Sequence, residues 1–321
     1  MSDLTLASAL ASDIRSFLEF KAAAGVGGKS MRWYLRDLDG WCEEHGMSEL
    51  DRATAEGYVL QKLGRTGTGY TKWVSYLREF ARWLQLNGHP EAYVLPYGFG
   101  GSATRPLPYL LSEAEIEAFF RAAASYSTWA PMRWEAKAVF GLMHSCGLRT
   151  CEVVRLRPGD VDVGERRMDI MWSKGNRSRR LGVSDEVADM LAECGDLTTK
   201  EFGAGREAFF VTATGRGLSV SDVDRVFSRI WGAADLPVPA SGRRATPYAF
   251  RHHFAYANIE RWGREGRDVM SMLPYLARYM GHSSFDSTLY YVHTSPDFMS
   301  GFSAEASSLD ALLPEVGFDG Q

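Results

Sequence analysis

Apolar residues recur at intervals of three and four through the first 88 positions, with polar residues between them. This spacing places the apolar side chains on one face of a helix. Three groups show it: Leu10, Ile14, Phe17 and Leu18; Tyr34, Leu38 and Trp41; and Trp73, Leu77, Phe80 and Leu84. Glycine-rich segments at 25–28 and 64–69 interrupt the pattern and mark breaks between helices. The pattern predicts a helical domain over residues 1–90.

The periodicity is lost after this region. Residues 91–107 contain prolines, glycines and small residues in no repeating order. Such a composition is typical of a connection between two domains. We therefore expect a linker over residues 91–107 and a second domain over residues 108–300, followed by a C-terminal tail over residues 301–321.

The second domain begins with helical signals. Ser112 and Glu115 have the spacing of a capping box, in which each side chain bonds the backbone N–H of the other residue. The segment from Trp134 to about Cys146 is strongly apolar on one side and ends before a glycine. Both segments are predicted to be helices.

Strands are expected in the middle of this domain. The segment at 161–183 alternates between apolar and polar residues, and Lys174, Gly175 and Asn176 stand where a hairpin would turn. Residues 208–212 (AFFVT) are predicted as a short strand or a buried extended segment. The expected fold class is therefore mainly α with a small antiparallel sheet, an α+β arrangement.

Helices return in the last third of the chain. They are predicted at 184–194 and 219–234, and again from Thr246, an expected N-cap followed by Pro247, to Trp262. No segment approaches the roughly 20 apolar residues of a membrane helix, so no membrane association is expected. The four cysteines show no CxxC spacing, and this favours a reducing cytoplasm.

The net charge of −4 counts mildly against a nucleic-acid partner. Basic residues are nevertheless concentrated at 166–180 and 243–278, and a local patch is enough to attract a polyanion. Two interpretations of these basic residues remain open: they form a surface that binds nucleic acid, or they lie on solvated helix faces in ordinary charge pairs.

Several side chains in this domain suit attack on a phosphodiester. Planar guanidinium groups fit the charged oxygens of the transition state, a lysine can protonate a leaving alkoxide, and a phenol oxygen can hold the phosphoryl group covalently. Each residue alone is commonplace, and their order along the chain is the specific feature. The candidates are Arg149, Lys174, Arg251, His282 and Tyr291.

These motifs resemble the tyrosine recombinase (phage integrase) family over about residues 108–295. The matching segments are GLRTCEV, WSKGNRSRRLGV, YAFRHHFA and YMGHSSFDSTLYYVH. The resemblance implies a helical core-binding, SAM-like first domain and a catalytic second domain. It also implies that Glu152 orients Arg149 or the local turn and that His252 has a structural or phosphate-adjacent role.

One position departs from the family pattern. The family usually has histidine three residues before the second arginine, where this chain has Tyr248. A tyrosine hydroxyl can still donate to a phosphate oxygen but does not become a cation near neutral pH. We expect retained activity with altered phosphate contacts. The adjacent Tyr290 leaves the nucleophile open by one position, although the spacing from His282 favours Tyr291.

The resemblance implies site-specific recombination of duplex DNA through a 3′-phosphotyrosyl intermediate, on a mobile element, by four protomers on two DNA sites. No metal or nucleotide cofactor is implied. The alternatives are an accessory DNA-binding protein of reduced activity and a type IB topoisomerase-like enzyme. DNA-contacting candidates are Arg177, Arg179, Arg180, Arg243 and Arg244 in the second domain, and Lys29, Arg32, Arg36 and Lys72 in the first.

Overall fold

The structure of the protein is a computed structural model. It describes residues 5–25, 28–63, 70–99, 108–126, 131–173, 177–237, 245–282 and 286–293. The chain divides into two compact units, residues 1–106 and 107–321. Twelve α-helices and one three-stranded sheet lie within the described ranges, and the mainly α fold class is therefore confirmed.

The first unit is a bundle of helices around one apolar core. Its helices are α1 (Ala11–Ala23), α2 (Lys29–His45), α3 (Arg52–Leu63) and α4 (Tyr70–Leu86). Residues at the predicted helical spacing, among them Ile14, Leu38 and Phe80, are almost fully buried in this core. Ala92 and Leu95 are buried in it as well. The start of the predicted linker therefore packs on the first unit.

The second unit begins with three helices. They are α5 (Glu113–Ala124), α6 (Met132–Ser145) and the single turn α7 (Thr150–Val153). The predicted capping box is confirmed, because the Glu115 backbone N–H donates to Ser112 and the Ser112 N–H donates to the Glu115 carboxylate. Helix α6 is buried on most sides, and it passes through the centre of the unit.

The sheet follows a 3₁₀ turn at Pro158–Asp160. Its strands are β1 (Val161–Asp162), β2 (Arg167–Ser173) and β3 (Arg177–Gly182), all antiparallel in the order β1-β2-β3. Ser173 pairs with Arg177, so the predicted hairpin is confirmed on either side of its turn. The turn itself, with Lys174, lies outside the described residues.

Five further helices complete the described part of the unit. They are α8 (Asp185–Phe202), α9 (Val220–Ala233), α10 (Tyr248–Arg264), α11 (Val269–Met280) and α12 (Asp286–His293). Helix α8 continues eight residues beyond the predicted end at 194. The predicted N-cap at Thr246 is wrong by one residue, because Pro247 takes the N-cap position and its fixed φ leads directly into the first turn. Within the described ranges, no helix has both the length and the apolar character of a membrane span.

A buried carboxyl group links three parts of the second unit. Glu135 on α6 is fully buried and accepts from the Val211 backbone N–H, at 2.9 Å, in the segment predicted to be extended. Thr198 on α8 lies 3.5 Å from the same carboxyl group. Burial raises the pKa of Glu135 to about 8, because a low-dielectric interior disfavours the charged form.

This raised pKa predicts a pH-dependent stability. Below its unfolded pKa the group is protonated in both states, and its contribution is fully present. As pH rises towards about 8, the unfolded chain ionises freely while the folded chain keeps its proton, so the free energy of unfolding falls by up to about 1.4 kcal/mol per pH unit.

Glu135→Gln should remove this slope. The Gln amide oxygen can still accept from the Val211 N–H. Urea unfolding at pH 5, 6, 7 and 8 measures how the free energy of unfolding depends on pH. Asp196→Asn, on the exposed side of α8, is the control and should keep the wild-type slope. A Glu135→Gln protein whose stability falls with pH as steeply as the wild type would contradict the assignment.

Candidate active site

Two glycine turns shape the site. Helix α11 ends at Gly281, whose φ of 67° lies in the left-handed region. There the N–H of His282 donates to the carbonyl of Ala277 at 2.9 Å and the N–H of Gly281 donates to that of Arg278 at 3.1 Å. These two bonds form a Schellman motif. Gly147, with a φ of 61°, makes the corresponding left-handed turn after α6.

Neither glycine could be replaced without a clash. A Cβ at Gly281 would lie 2.8 Å from Nη1 of Arg179, and one at Gly147 would lie 2.5 Å from the Phe254 ring. The Gly281 turn fixes the backbone of His282, and the Gly147 turn leads into Arg149. The two predicted motifs, Gly-Leu-Arg and Gly-His, are therefore both set by glycine geometry.

A single carboxylate holds the arginines of the site together. Glu152 is 2 % exposed. Its oxygens accept from Nη1 of Arg149 at 2.8 Å and from both Nη atoms of Arg179 at 2.9 and 3.0 Å. The fully buried Arg251 lies 4.0 Å away. We refer to Glu152, Arg149, Arg179 and Arg251 as the arginine cluster.

The C-terminal end of α11 completes the arginine cluster. Carbonyl groups in the last turn of a helix have no partner within the helix and carry partial negative charge. The carbonyl of Tyr279 accepts from Arg179 at 2.7 Å, that of Met280 from Arg251 at 2.8 Å, and that of Gly281 from Arg149 at 2.9 Å. The three guanidinium groups therefore cap the helix and are oriented by it.

Arg251 is the most enclosed member of the cluster. Its side chain is 0 % exposed, and it also donates to the carbonyl of Gly147. Burial and the neighbouring Arg149 lower its pKa. Its Nε atom has no hydrogen-bond partner within the part of the chain that the structure describes. The cluster thus concentrates positive charge around one buried N–H donor.

His282 lies beside this charge and is neutral. Burial, followed by the charges of Arg251, Arg149 and Arg179, lowers its pKa to about 3. Its Nδ1 atom lies 2.7 Å from the hydroxyl of Thr288 on α12. The imidazole can therefore act as a hydrogen-bond donor or acceptor at neutral pH but not as a cation.

Tyr291 is buried against the same residues. It is 2 % exposed, and its ring lies parallel to that of His282, with centroids 6.1 Å apart. His252 and Tyr256 contact its other sides. Burial raises its pKa, the neighbouring Tyr248 adds to this, and the charges of Arg251 and Arg149 oppose it. Arg251 and Arg149 therefore favour a phenolate at Tyr291, but burial has the larger effect and keeps its pKa raised.

The structure brings together most of the predicted site residues. Tyr248 is 39 % exposed, and its ring contacts His252 at 4.7 Å. Lys174, Arg243 and Arg244 lie outside the described residues, as does the side chain of Arg177. Arg180 forms a surface pair with Asp169, at 2.8 Å. In the first unit Arg36 and Lys72 are exposed and Arg32 is half-buried, while the side chain of Lys29 is not described.

Two residues of the site have roles that the sequence did not indicate. Arg179 was predicted to contact DNA, yet all three of its guanidinium nitrogens donate to protein acceptors in the cluster. A signal was present, because Arg179 stands two residues before the buried Leu181 and so shares its face of β3. Thr288 was not predicted at all, although it lies one helical turn before Tyr291.

Metal ligands do not converge in this region. Within the described ranges, His, Cys, Asp and Glu form no group of three that could hold a metal ion. The side chains that meet here are instead cations, one carboxylate, an imidazole and phenols. This set can bind a phosphate oxygen through N–H and O–H donors.

Replacing Glu152 with Gln should destabilise the second unit strongly. The amide would leave the buried Arg251 and the partly buried Arg149 and Arg179 without a counterion, and the expected loss in the free energy of unfolding is about 3–5 kcal/mol. Urea denaturation of the full chain measures this loss.

Asp169→Asn is the matched control, since it also neutralises a carboxylate paired with an arginine. The Asp169 and Arg180 side chains are 35 % and 61 % exposed, so we expect a cost below about 1 kcal/mol. Equal losses in the two variants would show that Glu152 does not hold the cluster.

The sequence and the fold both match known proteins. The model of the phage integrase family matches residues 110–297. The provisionally named integrase/recombinase y4rE of Sinorhizobium fredii is 30 % identical over 261 residues, which cover 81 % of this chain and 83 % of that protein.

Two solved structures show the same fold at low sequence identity. XerH recombinase bound to a palindromic difH substrate aligns with a TM-score of 0.66 and 16 % identity, covering 90 % of this chain and 84 % of XerH. The Tn1549 transposon integrase in complex with circular intermediate DNA aligns with a TM-score of 0.64 and 15 % identity, covering 92 % of this chain and 99 % of the integrase chain. On the family match and the identity to y4rE, this chain belongs to the phage integrase family of tyrosine recombinases.

Proposed function

We propose that this protein is a site-specific DNA recombinase that cuts and rejoins duplex DNA through a 3′-phosphotyrosyl bond to Tyr291. The observation that supports this most is the position of Tyr291. Its ring lies parallel to that of His282, and the charges of Arg251 and Arg149 act on its hydroxyl. A nucleophile, two phosphate-binding cations and a neutral donor therefore meet at one place.

The proposed reaction exchanges one phosphodiester for another. The Tyr291 hydroxyl loses its proton to solvent as its oxygen attacks the scissile phosphorus, the bond to the 5′-oxygen breaks, and that oxygen gains a proton and leaves as a free 5′-hydroxyl. Arg149 and Arg251 donate to the non-bridging oxygens, where negative charge develops. Lys174 is proposed to protonate the leaving oxygen. Rejoining is the same step in reverse, with a 5′-hydroxyl attacking the phosphotyrosine.

Tyr248 is proposed to contact the phosphate as well. It begins α10, three residues before Arg251, so the two side chains share one face of the helix. Its 39 % exposure leaves the hydroxyl accessible to a substrate. The hydroxyl would supply a neutral hydrogen bond at the position where the family usually has histidine.

The DNA partner is proposed to be held by both units. XerH and the Tn1549 integrase were solved on DNA substrates, and their fold is shared by this chain. From the family's motifs in this chain we propose assembly of four protomers on two DNA sites and a role in moving a mobile element. Mapping the DNA junctions that form in cells expressing the protein would define the site.

The nucleophile can be identified with a nicked suicide duplex that carries the mapped junction sequence. Wild-type protein should form a covalent adduct that survives denaturing electrophoresis, and Tyr291→Phe should abolish it. Tyr290→Phe is the matched control, since Tyr290 is half-buried beside Tyr291, and it should retain the adduct. Loss in Tyr290→Phe with retention in Tyr291→Phe would overturn the assignment.

The same assay separates the alternative functions. A protein that binds the junction duplex tightly and forms no adduct would be an accessory DNA-binding protein. A monomer that forms the adduct and relaxes supercoiled DNA would be a topoisomerase-like enzyme. Joining of ends from two different duplexes supports the recombinase.

Tyr248→Phe should slow cleavage of the suicide duplex by about 10- to 100-fold, because one hydrogen bond to a charged group contributes about 1.5–3 kcal/mol. Tyr248→His should cleave at a rate near that of the wild type, since imidazole restores a donor at the same position. The rate of adduct formation under single-turnover conditions measures both. Equal rates in Tyr248→Phe and the wild type would exclude a phosphate contact.

A further inference from the structure

Thr288 connects the Gly281 turn to the helix that carries Tyr291. It is 0 % exposed, and its hydroxyl oxygen lies 2.7 Å from Nδ1 of His282. Thr288 and Tyr291 are three residues apart on α12 and therefore share one face of that helix. One hydrogen bond thus sets the orientation of the imidazole relative to the phenol.

Because His282 is neutral, its hydrogen bond with Thr288 determines which of its ring nitrogens carries the proton. The ring stays neutral at physiological pH because burial and three guanidinium groups disfavour its protonation. A neutral imidazole has one N–H and one lone pair. The role that Nδ1 takes towards Thr288 therefore fixes the role of Nε2.

The hydroxyl of Thr288 decides between the two tautomers. Within the part of the chain that the structure describes, Nδ1 of His282 is its one hydrogen-bond partner. If Nδ1 donated to the hydroxyl, the buried hydroxyl proton would have no acceptor, at a cost of about 1–3 kcal/mol. If the hydroxyl donates to Nδ1, both groups are satisfied.

We propose that Thr288 is a positioning residue that donates to Nδ1 of His282 and holds the imidazole in the tautomer with its proton on Nε2. This inference rests on the proposed cleavage of a phosphodiester for its role in the reaction. Nε2 forms no hydrogen bond with any described residue, so its N–H is available to a non-bridging phosphate oxygen. In this tautomer Nε2 cannot accept the proton of Tyr291, and His282 acts as a donor and not as the general base.

The tautomer can be measured without DNA. In the full-length ¹⁵N-labelled protein at pH 7, the imidazole nitrogens of His282 are assigned by their loss in His282→Gln. We expect the wild type to show protonated Nε2 and unprotonated Nδ1. Thr288→Val, which removes the hydroxyl, should give a mixture of tautomers, and Thr288→Ser should restore the wild-type signals.

Thr198→Val is the matched control. Thr198 is also 0 % exposed, and its hydroxyl donates to the carbonyl of Cys194 at 2.8 Å within α8. This variant loses a buried hydroxyl elsewhere in the same unit and should leave the His282 signals unchanged. A wild type with its proton on Nδ1, or a Thr288→Val protein with an unchanged tautomer, would overturn the proposal.

The suicide duplex gives the second readout. Thr288→Val should form the Tyr291 adduct about 10- to 100-fold more slowly, by analogy with the loss when the hydrogen-bond partner of a metal-ligating histidine is removed. Thr288→Ser should recover most of the rate, and duplex affinity should stay at the wild-type value in both. Cleavage by Thr288→Val at the wild-type rate would overturn the positioning role.

The two proposals fail in different ways. A wild type that forms no Tyr291 adduct would contradict the recombinase function, and the tautomer measurement would still test the bond from Thr288 to His282. A wild type that forms the adduct, with tautomers that do not respond to Thr288→Val, would contradict only the role of Thr288.

Discussion

The buried carboxylate of Glu152 is the interaction on which the site depends. Three guanidinium groups within a few ångströms of one another repel, and the arrangement persists because Glu152 lies among them with 2 % exposure. Helix α11 adds a second source of negative charge through its last carbonyl groups. Charge balance therefore acts together with apolar packing to determine how α7, β3, α10 and α11 meet.

The charges of the arginine cluster also affect the pKa values of His282 and Tyr291. His282 is kept uncharged by its burial and by the charges of the three arginines. Tyr291 experiences opposing effects, since burial disfavours its phenolate while Arg251 and Arg149 favour it. A bound phosphate would reduce the net positive charge, so the acidity of both groups is linked to occupancy of the site.

Much of this site could be predicted from sequence, because its residues lie in ordered motifs. Arg149, Arg251 and His282 meet as expected. The contacts of Arg179 required the register of the hairpin, in which Arg179 pairs with the buried Ile170. Thr288 belongs to no predicted motif, and its hydrogen bond with His282 can be recognised only when the positions of α11 and α12 are known. The first turn of α10 and the length of α8 were missed because single-residue capping signals are weak.

The separation of its parts along the chain gives the arginine cluster a consequence for folding. The bonds from Arg149 to Met280 and Gly281 join residues 131 and 132 positions apart. Contacts between residues so far apart in the sequence form slowly, because a long loop must close first. Arg149, Arg179 and Arg251 all precede the carbonyl groups of residues 279–281 in the chain. A chain synthesised only as far as residue 278 therefore contains all three arginines but lacks the helix end that orients them.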